Sequence, residues 1–196
     1  MIMLFTESDI RTALQNTIAQ KKDHRSDQTR AAVLIPIIAA KDGLELLLTH
    51  RTDRVEHHKN QISFPGGAVD ANDNSIIEAA LRETEEELGI SPREIEVVGL
   101  IDEVTTPSRF LITPVVGILK SLPPLRLNEI EVRDVFTVPL SFFHDQKNMR
   151  MEYREFEGKK YEVYFYEYGD KTVWGVTAYM IRLFLQCITD SKRDNA

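Results

Sequence analysis

Residues Gly66 to Ile90 read GGAVDANDNSIIEAALRETEEELGI, and their order of glycine pair, polar loop, capped helix and acidic helix end decides the fold. Ser75 with Glu78 three residues later has the pattern of a capping box, in which each side chain satisfies a backbone N–H of the first turn. Gly89 supplies the residue that adopts left-handed dihedrals just past a helix end. Together they predict a helix over about 75–88. At 3.6 residues per turn, its buried stripe is expected to run through Ile77, Leu81, Thr84 and Leu88.

The acidic end of that helix breaks a local rule. Carboxylates beside the free carbonyls of a helix C-terminus each cost a few tenths to about 1 kcal/mol, and like charges one turn apart add to this. Glu83, Glu86 and Glu87, at i, i+3 and i+4, share one face nonetheless. Such a conflict is expected where a compensating partner exists, and hard cations such as Mg²⁺ take oxygen ligands of this kind. Acidic runs also decorate many solvated faces. Phe64-Pro65-Gly66-Gly67 distinguishes the two cases, because a proline and two glycines allow a sharp turn and a close approach of backbone to a ligand.

The glycines joined to Arg82-Glu83-x-x-Glu86-Glu87-x-Gly89-Ile90 resemble the Nudix hydrolase signature, whose helix ends R-E-U-x-E-E-x-G-U with U a bulky aliphatic residue. Three positions depart from it. The interval from Gly67 to Arg82 is one residue longer than usual, Asp73 or Asn74 stands where an early-loop glutamate is usual, and Thr84 replaces an aliphatic residue. Upstream, Leu47-Leu48-Thr49-His50-Arg51 leading through Gln61 to Phe64-Pro65-Gly66-Gly67 is similar to the motif of the coenzyme A pyrophosphatase branch. Glu56 and Asn60 stand there in place of a common arginine and glycine, while Arg54, His57, His58 and Lys59 keep the loop rich in cations. The resemblance extends to Thr106-Pro107-Ser108, Ile112 to Gly117, Val135 to Leu140 and Trp174 to Ala178, and so spans residues 30–187.

The resemblance implies an α/β protein, a Nudix-type α/β/α sandwich with a mixed β-sheet. It further implies Mg²⁺- or Mn²⁺-dependent hydrolysis of the diphosphate of coenzyme A or its derivatives, giving phosphopantetheine and adenosine 3',5'-bisphosphate. Two alternatives stay open: a hydrolase of another nucleoside diphosphate derivative, such as ADP-ribose or a dinucleotide, and a Nudix-fold module that binds a ligand without turnover. Glu83 and Glu87 are the first expected metal ligands, with Glu86 next. Arg82 is expected to brace these carboxylates, since a guanidinium keeps its charge and bonds in a bidentate fork. The family also draws a carboxylate from a later loop, where Glu131 is the first choice and Glu129 the second. Arg51 is the expected phosphate contact, and Gly66 and Gly67 form the substrate-side turn. Phe110, Phe136 and Trp174 are expected to be core residues rather than stacking platforms. An isomerase of isoprenoid diphosphates, also known in this superfamily, usually needs a reactive cysteine, and Cys187 in an apolar helical stretch is a poor fit.

Composition agrees with one compact domain. A chain of 196 residues buries well over half of its unfolded surface. With 24 basic and 31 acidic residues the net charge is −7, so no basic field points to nucleic acid as a partner. No apolar run approaches about 18 residues and no charged-then-apolar leader is present, so neither a membrane span nor a signal peptide is expected. A single cysteine makes the cytoplasm the default address. A homodimer is one assembly left open.

The remaining pattern predicts an N-terminal helix over 6–21, with Ile10, Leu14 and Ile18 on its apolar side, and a polar link ending near residue 29. Strands are expected over 31–39 and 44–51, joined at Asp42-Gly43. Others are expected over 95–102, 112–120, 131–138, 149–155 and 161–167, the last pair joined through Gly158. A terminal helix over 176–188 would turn Val176, Met180, Leu183 and Cys187 to one side. The hydrolase domain is then residues 30–188, and 189–196 is a polar, frayed tail.

Overall fold

A computed structural model describes residues 5–54 and 59–194. Glu56, His57 and His58 lie outside the described residues. Strands β1 (Thr29–Ala40), β2 (Gly43–Arg51), β3 (Ile62–Ser63), β4 (Gly66–Ala68), β5 (Glu96–Leu100), β6 (Val104–Thr105), β7 (Phe110–Leu119) and β8 (Val132–Pro139) make one mixed sheet. Parallel pairing of β1 with β7 forms its centre, and the other pairs are antiparallel.

Where the sheet forks, the glycine pair is placed. β1 and β2 pair only from Ile37↔Leu46 to Ala40↔Gly43. Beyond that they diverge, and residues 62–68 fill the gap, with β3 bonded to β2 and β4 bonded to β1. The Leu34 N–H donates to the Pro65 carbonyl at 2.9 Å, holding the crossing between them. These two short strands carry no alternating pattern of their own, and the glycines that open β4 stand where the sequence predicts a sharp turn.

Alternation along β1 explains the layers. Ala32, Leu34 and Ile38 face helix α2 (Ile76–Leu88), while Ile35 and Ile37 face the opposite layer. That layer holds α1 (Glu7–Asn16), α3 (Leu140–His144), α4 (Gly175–Asp194) and a second antiparallel sheet of β9 (Met149–Phe156), β10 (Lys159–Tyr168) and β11 (Lys171–Trp174). The architecture is helices on both faces of a mixed sheet, as expected. No helix among the described residues is long and apolar enough to cross a membrane.

Four local expectations are corrected. The first helix ends at Asn16, and Ile18 is 92% exposed. Its capping box is Thr6 with Asp9, and the chain after Thr17 runs extended because Asp102 and Glu103 accept the Gln20 and Lys22 N–H groups at 2.8 and 2.7 Å. Second, α2 buries Ala79, Ala80, Thr84, Glu87 and Leu88, whereas Ile77 is exposed. Small alanines let the helix lie close to the sheet, which rotates the larger aliphatics to the flank. Third, the capping box at Ser75 is half formed: its hydroxyl accepts the Glu78 N–H at 3.1 Å, but the Glu78 carboxylate takes both nitrogens of Asn74 instead. Fourth, α4 continues to Asp194 rather than fraying, and Lys192 pairs with Asp9 of α1 at 2.9 Å. The deepest side of α4 is Ala178, Ile181, Phe184 and Ile188, with Met180 also buried and Val176, Leu183 and Cys187 packed at the margin. Both flanking helices thus belong to the same core as the central strands, through Ile10, Ala13, Leu14 and Phe184.

Candidate active site at the acidic end of helix α2

Helix α2 crosses the sheet with its C-terminal half above β4. Glu83 lies directly on Gly67, where an added Cβ would meet its Oε2 at 2.4 Å. Only a residue without a side chain leaves room for that carboxylate. Gly66 is required for a second reason: its φ is 147°, and a Cβ there would meet the Ala32 carbonyl at 2.4 Å.

The helix end is closed by another segment. Asn128 and Arg126 donate their N–H groups to the Glu87 and Leu88 carbonyls at 2.9 and 2.8 Å, satisfying acceptors that a helix end leaves free. This capping also delivers Glu131. Its Oε1 accepts from the Asn128 side-chain amide at 3.0 Å, and its carbonyl accepts the Thr52 N–H at 2.9 Å.

Two arginines share the carboxylates that converge here. Arg51, at the end of β2, donates to Glu87 Oε1 at 3.1 Å and stands 3.9 Å from Glu131 Oε2. Arg82 grips Asp73 with Nε and Nη2 at 2.9 and 3.0 Å, and its Nη1 reaches Glu83 and Glu86 at 2.8 and 3.1 Å. Five carboxylates therefore face two guanidinium groups. The site carries surplus negative charge, which is the compensation problem posed by the sequence, now in three dimensions.

Burial sharpens it. Glu87 is 1% exposed, and its Oε2 is a buried oxygen with no hydrogen-bond partner among the described residues. Loss of water pushes its carboxyl up to about 8; Arg51 opposes the shift, while Glu131 and Glu83 add to it. Burial also raises Glu83, against the pull of Arg82. Asp73 moves the other way, held below the usual carboxylate range chiefly by its fork with Arg82. The same fork holds the Arg82 guanidinium protonated.

These residues fit a hard divalent cation: an unpartnered buried carboxylate oxygen, a glycine cradle under a second carboxylate, and oxygen donors throughout. Among the described residues no three acidic, histidine or cysteine side chains already stand as a metal-ligating group. Arg51 holds Glu87 Oε1, and Arg82 holds one oxygen each of Glu83 and Glu86.

Arg51, Gly66, Gly67, Arg82, Glu83, Glu87 and Glu131 are brought together. Glu86 sits at the rim with its side chain 56% exposed, and Glu129 is exposed beyond it. Asp73 is the site residue that motif matching passed over as a departure. Its signal was available: it lies six residues after Gly67, and the extra residue between it and Arg82 lengthens the loop while the aspartate is one methylene shorter than glutamate. Asn60 is likewise explained, because its φ of 55° is the left-handed region that asparagine adopts more readily than most other non-glycine residues. Cys187 of α4 packs against Thr17 at the end of α1, and burial pushes its thiol up, away from the thiolate that isomerase chemistry needs.

The NUDIX domain family model matches residues 28–156. A Photorhabdus laumondii subsp. laumondii protein named "Uncharacterized Nudix hydrolase NudL" is 37% identical over 180 residues, covering 91% of this chain and 96% of its own. A protein of the same name from Citrobacter koseri is 38% identical over 183 residues, covering 90% and 92%. The crystal structure of the MutT protein from Methanosarcina mazei Go1 shares the fold, with a TM-score of 0.56 at 18% identity over 86% of this chain and 99% of that one. With the signature helix, its glycine cradle and this breadth of similarity together, the chain belongs to the Nudix hydrolase family, as a pyrophosphatase.

Proposed function

We propose that this enzyme cleaves the diphosphate of coenzyme A or its derivatives, releasing phosphopantetheine and adenosine 3',5'-bisphosphate, with Mg²⁺ or Mn²⁺ as cofactor. The observation that carries the metal-dependent chemistry is the surplus of carboxylates around the unpartnered Glu87 Oε2. Glu83, Glu87 and Glu131 would hold the cation, with Glu86 at the rim. A divalent ion neutralises phosphate oxygens and lowers the pKa of bound water. Arg82 and Asp73 fix the rotamer of Glu83, and Gly67 keeps the space beneath it open. Arg51 supplies a cation that does not give up its proton, beside the buried Glu87 and the more open Glu131.

Support for coenzyme A comes from the segment before the glycine pair. Arg51 of the Leu-Leu-Thr-x-Arg motif reaches the carboxylate cluster, and Asn60 meets the backbone requirement of the glycine common there. Hydrolysis of ADP-ribose or a dinucleotide is the second reading, because the same cluster serves any diphosphate. A binding module without turnover would gain nothing from so unfavourable a set of charges. The partner is a small-molecule diphosphate, and the compartment proposed is the cytoplasm, since the one cysteine forms no disulfide within the chain.

Coenzyme A, ADP-ribose, NADH and a nucleoside triphosphate are compared under Mg²⁺ and Mn²⁺, with products resolved by mass. Coenzyme A is expected to give the highest kcat/KM, with turnover in excess of enzyme that EDTA abolishes. Glu87→Gln is expected to lower kcat by at least about a hundredfold, more than loss of a residue that only supports a ligand. Cleavage of the triphosphate alone would end the coenzyme A assignment.

A further inference from the structure

A cavity of about 470 Å³ opens beside the carboxylate cluster, within the range of small-molecule sites. It lies on the α2 face of the sheet, the face that carries the cluster. Val132, in its wall, is the cross-strand partner of Arg51 and belongs to the apolar group under α2, as does Leu127. Thr52, the next wall, follows Arg51 directly and donates its N–H to the Glu131 carbonyl at 2.9 Å. A molecule whose diphosphate meets Glu83, Glu87 and Glu131 therefore has one end within reach of this cavity.

The charged lining is specific. Arg54 and Arg133 enter it from different strand ends, and neither guanidinium has an ion pair among the described residues. Arg51 and Arg82, by contrast, are saturated with carboxylates. Asp53 and Glu129 complete the lining and offer acceptors suited to sugar hydroxyls and an exocyclic amine. Two positive and two negative groups cancel, so the cavity is no general trap for anions. A doubly charged phosphate monoester placed between the two arginines is still favoured, because each can bond it through a planar fork.

We propose that this cavity is the specificity pocket for a phosphate monoester carried on the non-reacting end of the substrate, with Arg54 and Arg133 as the residues that recognise it. The inference rests on the diphosphate hydrolase function given above. It adds that the enzyme discriminates between substrates differing by one remote phosphate. The binding energy is spent at a distance from the scissile bond, so the effect falls on KM and on product affinity more than on kcat.

Two measurements test it. Calorimetric titration compares adenosine 3',5'-bisphosphate with AMP on the wild-type chain, R54A, R133A and R133K. The bisphosphate is expected to bind at least about tenfold more tightly to wild type, the size of one charge-assisted contact. Each alanine variant should bring the ratio of the two affinities toward one, and R133K should restore part of it. Steady-state kinetics then compares coenzyme A with dephospho-coenzyme A, and NADPH with NADH, where the KM ratio within each pair should narrow in R133A. Equal affinities on wild type, or variants that weaken both ligands alike, would overturn the pocket. Turnover of coenzyme A without any preference over its dephospho form removes the pocket and leaves the coenzyme A assignment standing. Arg133-dependent preference for NADPH without turnover of coenzyme A does the reverse.

Discussion

Gly66 and Gly67 are neighbours that serve different ends, and one added methyl separates them. At Gly67 the obstacle is the far end of a flexible side chain, the Glu83 carboxylate. Gly67→Ala is therefore expected to cost under about 1 kcal/mol of stability, because the carboxylate swings aside, while kcat/KM falls at least about tenfold. At Gly66 the obstacle is backbone, the Ala32 carbonyl and Val33 Cα, at a φ of 147°. Gly66→Ala should destabilise by about 1–3 kcal/mol or more. Urea midpoints set against kcat/KM for both variants check this, and full activity in Gly67→Ala would show that Glu83 needs no such cradle. Glu87 was legible as a candidate ligand from spacing alone. Its burial was not, since nothing in a run of glutamates says which one the helix turns toward the sheet.

At the scale of elements, α2 was legible from its ends. Ser75 and Gly89 are local signals, and local hydrogen bonds realise them. The loop before the helix was not legible, because its meaning lies in the Arg82–Asp73 fork between an element and a turn nine residues away. Asp73→Asn keeps the shape but removes the charge that anchors Arg82. It is expected to lower kcat/KM by about tenfold to a hundredfold, as for other residues that orient a ligand, with far-ultraviolet circular dichroism unchanged. An unaffected kcat/KM would make the fork structural only. The end of α1 failed for a similar reason: periodicity favoured Ile18, whereas Asp102 and Glu103 compete for the backbone beyond Thr17.

For the whole molecule, the acidic site couples stability to pH and to metal. Folding raises the Glu87 carboxyl from an ordinary 4.5 to about 8. The native state therefore holds a proton that the unfolded chain releases, and stability from this group is complete below about pH 4.5 and lost as pH rises through about 8. In chelator the Tm is expected to fall between pH 5 and pH 8, and Glu87→Gln to flatten that fall. Mg²⁺ or Mn²⁺ should raise the Tm more at pH 8 than at pH 5, because the cation competes with the proton for the same carboxylate. A thermal-melt series across pH, with and without metal, decides it; a wild-type curve no steeper than that of Glu87→Gln would remove Glu87 as the source.

The sequence by itself determined what short-range chemistry can express: the capped helix, the hairpins, the glycine pair, the arginine and glutamates in order, and hence the family. Tertiary structure decided what depends on rotation and on distant chain. The fork between β1 and β2 turned the glycine pair into a cradle under Glu83. The loop that caps α2 delivered Glu131, and the tilt of α2 buried Glu87 while leaving Glu86 in water. The physical reason is that hydrogen bonds between neighbours in sequence are set by residue type and spacing. Desolvation and shared counter-charges are set by which surfaces meet, and no local pattern encodes that.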